Sequence, residues 1–261
     1  MTRADSHYSR LEPVVALVDQ AGAAIMEIYA RLDRGIQSKA DNSPLTAADL
    51  AANAIICNGL ASHWPEIPIL TEEADNPFTS GEEPPLYWAV DPLDGTREFI
   101  KRNGEFTVNV ALIENGDPVF GVVSAPALGL LHAGAIGHGA RMRNAAGWRP
   151  IAVAAKRNAT EPVRVASSRS HPSPQLAGWL QRFANVEQRQ MGSSLKFCLV
   201  AQGDVDVYPR FGPTSYWDTS AGHAVLAAAG GRVSLMDGTA LTYRWPAVPL
   251  NPDFVAWGMA G

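Results

Sequence analysis

Tyr87-Trp88-Ala89-Val90-Asp91-Pro92-Leu93-Asp94-Gly95-Thr96 is the stretch whose reading decides the fold. An apolar run ends in an acid, a proline, a second acid three residues on, and a glycine. Pro92 lacks the N–H that a central strand donates, so the reading is a strand stopping at Asp91 and a helix beginning at Asp94. Upstream, Ile69-Leu70-Thr71-Glu72-Glu73 is another short apolar run ending in acids. Downstream, Trp217-Asp218 places one more acid at the start of an Ala-rich helical stretch. If these ends converge, Glu72, Asp91, Asp94 and Asp218 share one pocket. Carboxylates that close do not all stay ionised without compensation. Hard divalent cations such as Mg²⁺ supply it, because they take oxygen ligands and keep waters for a phosphate substrate. Gly95 and Thr96 add backbone N–H groups and a hydroxyl at a helix start, where phosphate is readily held.

Each feature taken singly has a plainer reading. Asp94 and Asp218 read as helix caps, and Thr46 with Asp49 as a capping-box variant carrying Asp for Glu. A lone D-P-x-D is weak. The string Asp-Pro-Leu-Asp-Gly-Thr, with Glu-Glu after an upstream strand and Trp-Asp before a downstream helix, is strong.

Outward from this string the elements follow from periodicity. Residues 11–29 carry Leu11, Val14, Val15, Val18, Ile25 and Ile28 at helical spacing, and 46–60 read as a second helix. Residues 67–70 and 86–90 read as buried strands, and 106–113 and 119–123 as strands joined by an Asn115-Gly116 turn. Residues 130–136 add a strand, and Gly- and Arg-rich 137–149 read as turns at the sheet edge. Beyond about residue 160, strands at 163–166, 205–208 and 232–235 alternate with helices at 173–183, 193–201 and 218–229, a layered α/β pattern. The expected division is an α+β unit, residues 1–158, and an α/β unit, residues 159–261.

Composition narrows the class. The 261 residues are 46% hydrophobic and 18% charged, with net charge −5 and no Lys/Arg-rich run, which argues against a nucleic-acid partner. Cys57 and Cys198 stand far apart, which excludes a disulfide scaffold or thiolate zinc site and fits a reducing cytosol. No apolar run approaches the roughly 18 residues of an integral membrane segment. Residues 1–10 are polar, include Asp5 and lack the apolar centre of a signal peptide. A cytoplasmic location is expected. Ser, Cys and His show no nucleophile-elbow context such as G-x-S-x-G. His132, His138 and His223 lack metal-ligand spacing and read as structural.

Seven segments together resemble the lithium-sensitive, Mg²⁺-dependent phosphomonoesterases of the inositol monophosphatase superfamily, and within it the CysQ-type 3'(2'),5'-bisphosphate nucleotidases. They are residues 38–49 (SKADNSPLTAAD), 71–73 (TEE), 91–113 (DPLDGTREFIKRNGEFTVNVALI), 168–171 (SRSH), 192–198 (GSSLKFC), 208–214 (YPRFGPT) and 217–219 (WDT). The resemblance implies a layered αβαβα sandwich. It also implies two or three Mg²⁺ ions held by Glu72, Asp91, the carbonyl of Leu93, Asp94 and Asp218, and a water-activating pair, Asp49 and Thr96. Substrate contacts fall on Glu72, Leu93, Asp94, Gly95, Thr96 and Asp218, with Ser193, Lys196 and Arg210 at a second phosphate and His171 near base or ribose. Lys and Arg suit a dianionic phosphate.

The implied reaction is hydrolysis of 3'(2')-phosphoadenosine 5'-phosphate to AMP and phosphate, a step in sulfur metabolism, by a monomer or homodimer. The resemblance leaves open, beside a cytoplasmic location, peripheral association with the cytoplasmic face of the inner membrane. Two alternatives are an inositol monophosphatase, which the GSSLKF and YPRFGP strings weaken, and a non-catalytic metal-dependent phospho-ligand binding protein.

Overall fold

The segment Leu86–Asp94 reads LYWAVDPLD because its strand is covered on both faces, a condition that favours continuous apolar runs over alternation. Trp88 and Val90 enter one core, and Tyr87 and Ala89 enter another on the opposite side of the same sheet. The computed structural model describes residues 3–30, 37–38, 44–45, 47–75, 84–155, 158, 160–244 and 249–258. Thr46, and with it the proposed Thr46–Asp49 capping pair, lies outside them, as do residues 39–43 of the motif.

In chain order the first part contains helices α1 (Arg3–Tyr8) and α2 (Leu11–Ala30), the short pair β1 (Gln37–Ser38) and β2 (Pro44–Leu45), and α3 (Ala47–His63). It continues with β3 (Ile69–Thr71), β4 (Leu86–Asp94), α4 (Thr96–Lys101), β5 (Thr107–Glu114), β6 (Asp117–Ala125), β7 (Leu130–Ala135), β8 (Gly139–Asn144) and β9 (Gly147–Ile151). The second part runs β10 (Val163–Ser168), α5 (Pro174–Leu180), β11 (Val186–Met191), α6 (Leu195–Ala201), β12 (Val207–Arg210), β13 (Thr214–Ser215), α7 (Tyr216–Ala228), β14 (Arg232–Leu235), β15 (Leu250–Asn251) and β16 (Phe254–Trp257).

Strands β3 to β9 form one seven-stranded sheet in sequence order, and a five-stranded sheet runs β11-β10-β12-β16-β14. Helices α2 and α3 cover one face of the large sheet, while α7 crosses its other face against β4 to β7. Helix α6 packs on α7 and on β10, β12 and β16. Trp179 of α5 closes the far face of the small sheet with Val165, Val207 and Val255. The layers are therefore αβαβα.

Helix α7 lies unusually near the sheet. A Cβ on Gly121 would stand 2.4 Å from the Ala221 carbonyl oxygen and 2.9 Å from Ala224 Cβ. The missing side chain is what admits the helix backbone.

Two readings are corrected by the structure. Strand β4 does not stop at Asp91; it runs to Asp94, and α4 begins at Thr96 behind Gly95. Asp91 pairs with Asn109 and Asp94 with Thr107, so three steps on β4 match two on β5, a bulge. On the other side β3 pairs only as far as Thr71–Val90, so Pro92 lies beyond the neighbour that would need its N–H. Residues 137–149 are not turns but contribute strands β8 and β9 at the sheet edge. Helix α2 is, by length and composition alone, long and apolar enough to cross a membrane. Its Val14, Val18, Ala21 and Ile25 are fully buried in the core beneath the sheet.

The Asn115-Gly116 hairpin stands as read. Both residues have positive φ, 52° and 86°, as a two-residue turn between right-twisted strands requires.

Candidate active site

The bulged end of β4, the 191–194 turn and the first turn of α7 meet around a cleft of about 290 Å³. Glu72, Asp91, Leu93, Asp94, Gly95, Thr96, His171, Ser193, Lys196, Arg210 and Asp218 all line it. Asp49, in the first turn of α3, is fully buried behind this wall and close enough for its charge to act on Asp91. A separate cavity of about 240 Å³ beneath Tyr8 and Trp148 holds none of these acids.

Three of the carboxylates are held in the same manner. Asp91 Oδ1 accepts the Leu93 N–H at 3.0 Å across the bulge. Asp94 Oδ2 accepts the Ser194 N–H at 2.7 Å, with Thr107 Oγ1 at 3.4 Å. Asp218 Oδ2 accepts the Ser215 N–H at 2.8 Å, from the residue that caps α7. Each carboxylate thus has one oxygen fixed by a backbone amide, while Asp91 Oδ2, Asp94 Oδ1 and Asp218 Oδ1 accept nothing from a described residue. Outer hydrogen bonds of this kind orient ligands toward a cation.

The electrostatics agree. Burial first, then Glu72, Asp94, Asp218 and Asp49, hold the Asp91 carboxyl well above the usual carboxylate range. Burial and then Asp94 do the same for Asp218, and burial raises Asp94 against the pull of Lys196. Among the described residues no three acid, His or Cys side chains are closed up as a preformed ion cage. An all-oxygen set with free, amide-oriented oxygens and suppressed ionisation fits Mg²⁺.

A pH dependence follows. A carboxyl whose folded pKa is raised binds protons more tightly folded than unfolded, so stability falls as pH rises above the ordinary value of about 4. In EDTA the melting temperature is expected to drop between about pH 5 and pH 8. Mg²⁺ at about a hundred times its Kd should restore about 2.7 kcal/mol. A melting temperature that ignores both pH and Mg²⁺ in differential scanning fluorimetry would count against the cation site.

Cationic residues line the same cleft. Lys196 is buried, its Nζ donates to the carbonyls of Met191 (3.3 Å) and Ser193 (2.5 Å), and it lies 5.3 Å from the Tyr208 ring centroid. Burial lowers its pKa to about 8, with Asp94 opposing the shift. Arg210 Nη2 donates to the Pro213 carbonyl at 3.2 Å. His171 lies 3.2 Å from Arg97 Nη1, and burial, then Arg210 and Arg97, lower its pKa. Ser193 lines the cleft, but its hydroxyl donates to the Glu105 carbonyl at 2.7 Å, with the Asp94 carbonyl second at 2.9 Å. In the folded chain that side chain ties two loops together.

The three histidines read as structural have partners of that kind. His132 Nε2 lies 2.8 Å from Gln202 Oε1, His223 Nδ1 lies 3.2 Å from the Tyr243 hydroxyl, and His138 stacks on Tyr8. Sequence reasoning did not single out Ser194, Glu98, Glu105 and Arg97. Only position within the quoted motifs could have flagged them, because their contacts cross between loops distant in sequence.

Comparisons with known proteins point to one family. The profile of the inositol monophosphatase family matches residues 8–256. The 3'(2'),5'-bisphosphate nucleotidase CysQ of Shigella flexneri is 47% identical over 94% of this chain and 98% of its own. The crystal structure of CysQ from Bacteroides thetaiotaomicron superposes with TM-score 0.83 at 36% identity, covering 97% of this chain and 98% of its own. The inositol monophosphatase of Anabaena sp. PCC 7120 superposes with TM-score 0.75 at 29% identity, over 96% and 91%.

Proposed function

The chain belongs to the inositol monophosphatase family, and from that premise we propose that it is a Mg²⁺-dependent 3'(2'),5'-bisphosphate nucleotidase. Its substrate is 3'(2')-phosphoadenosine 5'-phosphate and its products are AMP and phosphate. The observation that carries this reading is the cleft's mixed lining: Glu72, Asp91, Asp94 and Asp218 share it with Lys196, Arg210, Arg97 and His171. A substrate with two phosphates can use both sets, one group at the acids through cations and the other directly at Lys and Arg.

Two or three Mg²⁺ ions held by Glu72, Asp91, the Leu93 carbonyl, Asp94 and Asp218 supply, when bound, Lewis-acid neutralisation of charge on the phosphoryl and leaving oxygens. Asp49 takes the proton of the attacking water, and the Thr96 hydroxyl, which leans on the Leu93 carbonyl at 3.5 Å, orients that water. The backbone N–H groups of Gly95 and Thr96 hold the transferring phosphoryl oxygens. Water oxygen bonds to phosphorus as the ribose oxygen departs, and that oxygen takes a proton to become the hydroxyl of AMP. Lys196 and Arg210 hold the phosphate that stays, with His171 beside the ribose or base.

No thiol competes as nucleophile at these positions. Burial pushes Cys57 up to about 11 and Cys198 higher still. Both cysteines are free, as in the reducing cytoplasm where we place the reaction.

Phosphate release with and without Mg²⁺, on the bisphosphonucleotide and on inositol 1-phosphate side by side, tests the reading. Faster turnover of the nucleotide that requires Mg²⁺ is expected. Preference for inositol 1-phosphate would reassign the substrate, and no release from either would leave a binding protein. Li⁺ at millimolar levels is expected to inhibit by competing at the Asp94/Asp218 position. Turnover unchanged in about 50 mM LiCl at moderate Mg²⁺ would contradict that competition.

A further inference from the structure

We propose that Glu105 is a positioning residue that sets divalent-cation affinity by locking the Gly192-Ser193-Ser194 turn under Asp94. This rests on the cation-dependent reading above but concerns a residue that lies outside the cleft lining.

The turn is the point where the second part of the chain grips the first. Ser194 N–H holds Asp94 Oδ2 at 2.7 Å, and the Ser194 hydroxyl reaches the Asp218 carbonyl at 2.6 Å. One residue thereby holds the Asp94 carboxylate of β4 and the backbone of Asp218 in α7. A hydroxyl has one proton, so its 3.2 Å approach to Asp94 Oδ2 is secondary.

The turn does not hold this shape unaided. Ser193 sits at φ 49°, a left-handed conformation that is costly for a residue with a Cβ. Something must over-determine it, and Glu105 meets it from two sides. Glu105 Oε2 accepts the Gly192 N–H at 2.8 Å, and the Glu105 carbonyl accepts the Ser193 hydroxyl at 2.7 Å. A Cβ on Gly192 would lie 2.7 Å from that same carbonyl, so only glycine permits the approach.

Glu105 is itself held. Arg169 Nε and Nη2 each donate to its carboxylate at 2.8 Å, and Nη2 also reaches the Gln190 carbonyl at 3.0 Å. Bidentate pairs of this geometry fix orientation as well as charge. The chain of constraint runs Arg169, Glu105, Gly192, Ser194, Asp94. Its last member keeps its free oxygen directed only as long as the Ser194 N–H stays in place.

The test is Mn²⁺ binding to chelator-stripped protein, followed by electron paramagnetic resonance of the free ion, which needs no turnover. Glu105→Ala is expected to weaken Mn²⁺ by about 10-fold, the low end of the loss seen when a ligand's direct hydrogen-bond partner is removed, because Glu105 acts on Asp94 only through the turn. Glu105→Gln should recover most of it, since its side-chain carbonyl still accepts the Gly192 N–H. Wild-type affinity in Glu105→Ala, whatever its melting temperature in EDTA, would overturn the positioning role alone. If Glu105→Ala does not fold, Arg169→Gln on a more exposed side chain carries the test: several-fold weaker Mn²⁺ supports the proposal and unchanged affinity overturns it. Failure of the unaltered protein to bind Mn²⁺ would overturn the phosphatase reading and this proposal with it.

Discussion

Asp94→Asn is expected to lower kcat by about 10²- to 10⁴-fold, because it removes one charge and one ligand oxygen from a cation whose charge stabilisation is worth several kcal/mol. The geometry makes the substitution selective. Asn keeps a carbonyl oxygen that can go on accepting the Ser194 N–H, the bond Asp94 Oδ2 makes at 2.7 Å. The other position, which accepts nothing from a described residue, becomes an NH₂ group that cannot ligate a cation. The local structure survives and the cation-binding oxygen does not. Phosphate release at saturating substrate reads the loss, with circular dichroism confirming the fold. Activity within about threefold of wild type would remove Asp94 from the cation site.

The second large effect falls on Lys196. Lys196→Met keeps the apolar stem against Tyr208 and deletes the charge. A charge-assisted bond to phosphate is worth about 1.5–3 kcal/mol, so KM for the bisphosphonucleotide should rise about 10- to 150-fold. Contacts equal in ground and transition states appear in KM rather than kcat. Hydrolysis of inositol 1-phosphate, which has no second phosphate, should barely change. Equal losses on both substrates would mean that Lys196 serves the carbonyls of Met191 and Ser193, and so the turn, and not the ligand.

The acids were legible because Glu72, Asp91 and Asp94 follow short apolar runs and Asp218 opens an Ala-rich helix. The Asn115-Gly116 hairpin was legible because few residues tolerate positive φ at two successive positions. The continuation of β4 past Pro92 was not legible, since it depends on where β3 ends, a tertiary fact. Strands β8 and β9 lie at an exposed edge where glycine and arginine obscure the pattern, although buried Ala140 and Met142 do alternate with Arg141 and Arg143. Strand β11, Val-Glu-Gln-Arg-Gln-Met, has no apolar face, because it is a solvated edge. Within the site, Ser194 and Glu105 act through backbone groups of distant loops, and no spacing rule announces such contacts. Neighbouring Ser193 and Ser194 look alike in sequence, and only the folded turn gives one to loop closure and the other to the acids.

The seating of α7 on the large sheet has a consequence for synthesis. That sheet is complete once Ile151 has been made, yet the helix that covers its second face spans Tyr216–Ala228. Until those residues leave the ribosome, Tyr87, Ala89, Ala111 and Val123 present a bare apolar surface. Emerging chains that expose such a face are prone to aggregation. For the same reason a fragment ending near residue 158 would carry every strand of the large sheet and still lack half of its covering. Separate expression of the two parts should give insoluble N-terminal material, and their co-expression should rescue it.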